Sequence, residues 1–386
     1  MQNRNKKQKY IAMKFIVSST ALLSHLQIIS RVINSKNSMA ILENFLFELK
    51  GNNVVVTASD QETTMTTSIE VIEAQGQGCF AVSAKILLDP LKELPEQPLE
   101  FDINDDNLEI NIKYQNGHFN LMGVNGREYP QATPLSDDAS TLNMPAQRLL
   151  KGIGYTLFAT ADDTYRPIMN GINFDIFPDN IAFVASDIHK LVRFRDLSIQ
   201  AGIRASFILP KKPATLLKTI LPKENGEVNV CFDSKSARFT LSNFVLTCRL
   251  IEGNYPNYNS VIPQDSPNVL TVERTLFVNV LRRVSVFSDQ AIGLVELDFD
   301  DRRMVVSTQN IDYSISATET VDCNYSGTPF TIGFNAPKLI EVFNTIQSDE
   351  VKVSLSDASR AGVICPLENE ENEELLMLLM PMLLNK

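Results

Sequence analysis

The sequence predicts an α+β fold made of three tandem copies of one domain, each built from two strand-helix-strand half-repeats with antiparallel sheets. Three observations carry this. First, one phrase recurs. Asn170 to Leu191 reads NGINFDIFPDNIAFVASDIHKL, Asn44 to Asp60 reads NFLFELKGNNVVVTASD, and Gly293 to Asn310 reads GLVELDFDDRRMVVSTQN. Each copy alternates apolar and polar residues, turns on polar residues, alternates again and closes on small polar residues, the pattern of a β-hairpin. The copies lie roughly 125 residues apart, about the size of one domain. Second, a strand-helix phrase follows each hairpin: FAVSAKILLDPLKELP, FILPKKPATLLKTILP and FTIGFNAPKLIEVFNTI. Third, the element order lacks the strict βα alternation of a parallel sheet, which favours antiparallel pairing.

The elements follow in order. Phe15–Val17 reads as a strand, and Ser19-Thr20 caps a helix through Leu22, Leu23, Leu26, Ile29 and Val32, apolar at helical spacing. After the first hairpin come a strand at Ile69–Ile72, a strand at Cys79–Val82, a helix over 84–94 stopped by Pro95, and a three-strand meander over 99–124. The second copy starts with a strand at Leu142–Met144 and a helix over 145–159, with Pro145 near its first turn. Its hairpin turns at Pro178-Asp179-Asn180, with Ile172, Phe174, Ile176, Ile181, Phe183 and Ala185 on the apolar positions. A strand at Ser206–Leu209, a helix over 210–221 and a meander over 228–250 complete it. The third copy repeats this with strands at Val269–Val272 and Phe330–Gly333, helices over 276–284 and 336–346, and a closing meander interrupted by a charged insert, Glu368 to Glu374. The domains are therefore expected at 13–137, 138–267 and 268–386.

Residues 1–12 are polar and basic, with Arg4, Lys6, Lys7 and Lys9 and no apolar stretch after them, unlike a secretory signal. They read as a disordered extension, or as upstream of the true start at Met13; a nucleic-acid-binding arm is the sharper alternative. At 386 residues the chain exceeds a single core. Its five cysteines, Cys79, Cys231, Cys248, Cys323 and Cys365, form no CxxC pair and read as reduced thiols in a cytoplasmic protein. The most apolar run, Leu375 to Leu384, is about ten residues and too short to span a bilayer.

Charge is unevenly distributed. The net charge is −11, yet six helix windows, 19–36, 84–94, 146–159, 210–223, 273–286 and 336–348, hold roughly fourteen Lys and Arg against about four Asp and Glu. The basic set is Arg31, Lys36, Lys85, Lys92, Arg148, Lys151, Lys211, Lys212, Lys218, Lys223, Arg274, Arg282, Arg283 and Lys338. Helix propensity alone would favour Glu as much as Lys. A basic helical surface on an acidic body suits a polyanion held by its phosphates without sequence readout, and no base-reading motif is present.

The search for chemistry is negative. There is no GxxxxGK[ST], GxSxG or HExxH. Asp187 and His189 form an acid-base pair on paper, but no nucleophile accompanies them and a structural turn explains them as well. The Asp pairs at 105–106, 137–138, 162–163 and 300–301 read as solvated turns, not as metal sites. No cofactor is expected. The terminal LLMLLMPMLLNK is either a buried last strand or an adaptable Met-rich surface for peptide partners.

With MKFIV at 13–17, MAILENFLF at 39–47, ASDIHKL at 185–191, LIEGNYPNY at 250–258, YSGTPFTIGFN at 325–335 and MPMLL at 380–384, in that order, the chain resembles the bacterial DNA polymerase III beta subunits, the sliding clamps. The resemblance implies three DNA-clamp domains in a head-to-tail homodimeric ring, with helices lining the hole. Such a ring encircles double-stranded DNA without sequence specificity. It tethers the replicative DNA polymerase and other replication and repair proteins carrying short clamp-binding motifs. It is opened by an ATP-driven clamp loader and has no catalysis of its own. It also implies a partner groove walled by Met169, Gly171, Ser186, His189, Lys190, Leu191, Pro256, Val261, Tyr325, Leu378, Leu379, Met380, Pro381 and Met382. Ile188 stands where the family often has Gly, Lys190 where Arg is common, and Leu383 where Arg often follows MPM, giving a greasier, less basic rim. Lys36, Lys85, Lys92, Lys211 and Lys212 match basic DNA-facing positions, and the helix charges add Arg148, Lys151, Arg282 and Arg283. Asp163, a carboxylate, is not counted with them. The dimer seam would use Phe119 and Leu121 against Val286 and Phe287. The alternative from another class is a repeat-built interaction scaffold without DNA binding.

Overall fold

The computed structural model describes residues 13–384 apart from Ser35 and Asp301; the basic extension over 1–12 lies outside the described residues. Among these residues there are six α-helices: α1 Ser19–Ile29, α2 Ala84–Lys92, α3 Ala146–Thr156, α4 Lys211–Ile220, α5 Arg274–Ser285 and α6 Ala336–Thr345. Every strand pairing is antiparallel, as expected. Several of the helices start where the sequence supplies acceptors for free backbone N–H groups. The Ser18 hydroxyl accepts from Ala21 at the head of α1, the Glu273 carboxylate from Thr275 and Leu276 at α5, and the Asn335 amide oxygen from Lys338 at α6. The buried stripe of α1 is Leu22, Leu26 and Ile29, four and three residues apart.

Backbone packing divides the chain into two compact units, one running through Gln147 with Leu216–Leu250, the other Arg148–Thr215 with Ile251 onward. The first unit holds a five-stranded sheet ordered Glu73–Gln75, Met13–Ser18, Pro98–Ile103, Glu109–Tyr114, Gly117–Met122. It also holds a nine-stranded sheet in which Thr63–Glu70 of the first copy pairs with Phe244–Arg249 of the second. Its core includes Phe15 stacked on Phe101 at 4.6 Å and Phe47 on Phe80 at 5.0 Å. The second unit repeats the plan. Lys190–Asp196 of the second copy pairs with Glu373–Leu379 of the third inside another nine-stranded sheet, and a four-stranded sheet completes the third copy. Strands that cross from one copy into the next make two packing units out of three repeats.

The strand after the hairpin in each copy differs from the reading above. The first runs over Thr63–Glu70, six residues earlier than its predicted start, and Lys190–Asp196 and Ile315–Asp322 are strands the pattern did not announce. All three are polar for strands. Threonine replaces aliphatic residues in the first, where hydroxyls pair across strands, Thr57 with Thr66 at 3.1 Å and Ser59 with Thr64 at 2.8 Å. In the second, Arg195 lies opposite Glu374 and bonds it at 2.8 Å, so the charges satisfy each other across the ladder. The end of the charged insert is thus the start of a strand, Glu373–Leu379. Pro145 ends strand Ser140–Pro145 and stands just before α3, not within its first turn.

The central hairpin, Gly171–Phe177 with Asn180–Ser186, is buried on both faces, although its alternation predicted one wet face. On one face α3 rests directly on it: a Cβ at Gly152 would lie 2.6 Å from the Phe183 ring. The other face has Ala182 and Val184 packed with Leu191, Tyr258, Ala361 and Leu378. The polar residue Asp175 is accommodated there by the Tyr258 hydroxyl, which donates to it at 2.8 Å, and by Arg204 at 2.5 Å.

Candidate functional site

That second face is the floor of a cavity of about 230 Å³. Its walls come from the turn after the central hairpin, from the segment Tyr255–Val261 and from the last strand. The turn is Ser186-Asp187-Ile188-His189-Lys190. The Asp187 carboxylate accepts the His189 amide at 3.0 Å and the Lys190 amide at 2.8 Å. The Ser186 hydroxyl accepts the Ile188 amide at 3.1 Å and donates to the Lys190 carbonyl at 2.9 Å. These bonds hold Ile188 at φ +77°, a region that a β-branched residue rarely enters. Its side chain is 48% exposed and lines the cavity. Asp187 is therefore the structural turn residue, its Oδ1 committed to backbone amides, not half of an acid-base pair with His189.

Of the residues expected to wall the groove, Met169, Ser186, His189, Lys190, Leu191, Pro256, Val261, Leu378 and Met380 line this cavity. Gly171, Tyr325, Leu379, Pro381 and Met382 do not line it. Gly171 lies within the sheet, where a Cβ would come 2.5 Å from the Leu209 carbonyl. Tyr325 is buried in the third copy, stacked on Phe299 at 5.1 Å with its hydroxyl donating to Thr328 O at 2.6 Å. Leu379 alternates with Leu378 and so points to the opposite face of the sheet. The Met382 amide donates to the Gly333 carbonyl at 2.8 Å, which turns the tail toward strand Thr331–Asn335. Lys190 is not a basic rim residue either. Its side chain is 7% exposed, and its ammonium is bonded to Glu341 at 2.7 Å, lies 3.6 Å from Asp187 and sits over the Phe158 ring.

The cations expected to face DNA differ in exposure and in pairing. Lys36, Lys85 and Arg282 are exposed. Arg148 is ion-paired with Glu373 and lies 3.6 Å from Asp196, and Lys151 bonds Glu370 at 2.6 Å and Glu373 at 2.8 Å. Partial burial works against the Lys151 charge, but the Glu370 and Glu373 hydrogen bonds hold its pKa above the ordinary lysine value. Lys92 is paired with Asp89 at 3.0 Å, Lys211 with Asp162 at 2.5 Å and Arg283 with Glu319 at 2.7 Å, all at solvent-accessible positions, where pairing is weak. Lys212 on α4 is half-buried.

Three family models, described as the N-terminal, central and C-terminal domains of the DNA polymerase III beta subunit, match residues 13–133, 143–257 and 259–383 in that order. The chain belongs to the DNA polymerase III beta subunit family. It is 25% identical over 371 residues to the Beta sliding clamp of Haemophilus influenzae, covering 96% of this chain and 100% of that one. Identity to the Beta sliding clamp of Bacillus subtilis is 24% over 379 residues, covering 96% and 99%. Among solved structures it is similar to a DnaN sliding clamp from Pseudomonas aeruginosa bound to griselimycin, with TM-score 0.91, 24% identity and coverage of 97% and 100%. It is likewise similar to one from Bartonella birtlesii bound to griselimycin, with TM-score 0.90, 27% identity and coverage of 97% and 100%.

Within this family member, the predicted seam residues occupy particular places. Phe119 and Leu121 are half-buried on Gly117–Met122, the last strand of the five-stranded sheet, with Phe119 against Tyr114 at 4.8 Å. Val286 and Phe287 are exposed, by 66% and 41%, just past α5. The cavity is also lined by Ile188, the rim residue noted above, and by Tyr255, Asn257, Tyr258 and Ala361, which the reading above did not point to. Tyr255 carried a signal, because the Tyr-Pro pair at 255–256 repeats the pair at 129–130. Tyr129 is buried and joins two strands of its copy, accepting from the Ser59 amide at 3.0 Å and donating to Asn44 O at 3.2 Å; burial pushes its pKa up to about 12.

Proposed function

We propose that two copies of this chain, with domains over 13–137, 138–267 and 268–386, close head to tail into a ring around double-stranded DNA and act as a sliding clamp. The observation that carries this is the end-to-end match of all three domains to the beta subunit family, in order. Two features support it. A terminal strand of one sheet carries Phe119 and Leu121, which edge pairing between protomers would cover. Cations are concentrated on helices of an acidic chain, which suits phosphate contact without base readout. Lys36, Lys85, Lys92, Lys211, Lys212, Arg282 and Arg283 are the contacts we assign to DNA; Arg148 and Lys151 join them only to the extent that their carboxylate partners release them.

The groove then receives short segments of the replicative polymerase, the ATP-driven loader and other replication and repair proteins. A cavity of about 230 Å³ holds one or two side chains and not a folded domain, so an apolar anchor in a linear peptide fits it. The chain does no chemistry of its own in this role and works in the cytoplasm. Sedimentation equilibrium tests the assembly: it should give twice the 43.1 kDa chain mass, with negative-stain images showing a ring around a central hole. A monomer at micromolar concentration, or a dimer without a hole, would contradict it.

A further inference from the structure

The geometry points to Ile188 as a peptide-contacting, specificity-determining residue, kept at the groove in spite of its backbone strain. This deepens the reading of the groove as a peptide site and rests on it. The first copy of the domain supplies an internal comparison. Ser59-Asp60-Gln61-Glu62-Thr63 forms the same turn: Asp60 accepts the Glu62 amide at 3.1 Å and the Thr63 amide at 2.7 Å, and Ser59 accepts the Gln61 amide at 3.2 Å. The middle residue again has positive φ, +80° at Gln61. The turn thus imposes the left-handed conformation in both copies, whatever residue sits there.

What differs is the residue and what it faces. The first turn carries Gln61, which is unbranched at Cβ, beside a cavity of about 10 Å³ lined by polar residues such as Glu62, Thr64 and Arg249. The second carries Ile188, whose two heavy substituents on Cβ make positive φ costlier, beside the large apolar cavity. Local folding gains nothing from this side chain, because the loop's hydrogen bonds are all made by Ser186, Asp187 and the backbone. It is not packed into the core, being 48% exposed. Its remaining use is as apolar wall for whatever enters, next to Tyr255, Pro256 and Met380. Backbone strain concentrated at a binding site, with hydrogen bonds that hold it in place, is the signature of a side chain retained for its contact.

The test separates stability from binding. A fluorescein-labelled hexapeptide panel, with Leu, Phe or Ser placed at each position in turn, is titrated against the dimer by anisotropy, and melting is followed for the same samples. Ile188→Gly should raise the melting temperature by about 2 °C and weaken the best Leu-containing peptide about tenfold. The preference for Leu over Ser at one peptide position should shrink in parallel. Ile188→Asn, which tolerates positive φ but lacks the apolar surface, should behave like Gly. Ile188→Leu should keep affinity within about twofold, since the contact is apolar and its strain is smaller. Unchanged affinity and Leu preference in Ile188→Gly, with the wild type binding normally, would overturn the role of Ile188 and leave the groove standing. A lower melting temperature in both the Gly and Asn variants would overturn the strain argument. Failure of the wild-type dimer to bind any peptide of the panel would overturn the groove and, with it, this assignment.

Discussion

The Glu341 carboxylate of α6 holds the Lys190 ammonium at 2.7 Å, and Lys190 is among the few charged side chains that are nearly buried, with 7% exposure. The pair ties the groove turn of the second copy to the third. Removing the acid leaves the cation with only Asp187 at 3.6 Å and the Phe158 ring. Because Glu341 is itself half-exposed, Glu341→Gln should cost about 1 kcal/mol in urea unfolding. Lys190→Met, which removes the buried charge and keeps the volume, should stay within about 1 kcal/mol of wild type.

Arg148 and Lys151 share Glu373, whose side chain is 5% exposed. In the intact protein they should therefore contribute little to DNA affinity. Arg148→Ala should change duplex binding by less than about twofold, whereas Lys85→Ala, on an exposed cation, should cost on the order of fivefold at moderate salt. Glu373→Gln should raise affinity and steepen its salt dependence. Equal losses from Arg148→Ala and Lys85→Ala would show that the Glu373 pairs open on DNA.

His25 on α1 has Nδ1 2.5 Å from the Thr67 hydroxyl and its ring stacked on Phe244. Burial lowers its pKa below the ordinary 6.5. The folded state therefore binds fewer protons here than the unfolded chain does. Its contribution to stability is present above about pH 6.5 and is lost as the pH falls through the folded value. Between pH 7.5 and 5.5 the wild type should lose more melting temperature than His25→Gln; equal losses would remove His25 from the acid response.

Truncation after Leu379 removes Met380 from the groove wall and the Met382–Gly333 backbone bond. Peptide affinity should fall by a few kcal/mol. The protein should remain a dimer, since Phe119, Leu121, Val286 and Phe287 lie on other elements. Retained peptide affinity would place the site elsewhere.

The threefold hairpin was legible because its residues alternate in a pattern that two faces of one strand impose. The third strand of each copy was not. Thr64, Thr66, Arg193, Arg195 and Glu319 are polar residues whose partners sit on other strands or on a helix, as the Arg195–Glu374 and Arg283–Glu319 pairs illustrate. Cavity-lining residues close in sequence to the ASDIHKL motif were named from the sequence, whereas of the MPM motif only Met380 lines the cavity and strand alternation turns Leu379 away. Ala361 and Tyr258 reach the floor through long-range packing that no local pattern records. The stacking of Tyr325 on Phe299 joins two strands, which no local pattern announces. The strain at Ile188 was half visible: an isoleucine in a family glycine position could be seen, while the positive φ it occupies needed the hydrogen bonds of Ser186 and Asp187.

The central claim is topological enclosure of DNA. Once loaded onto nicked circular duplex at moderate salt, the protein should remain bound through gel filtration and be released when a restriction enzyme linearises the circle. Equal retention on the circular and the linear form would contradict encirclement and leave ordinary electrostatic binding in its place.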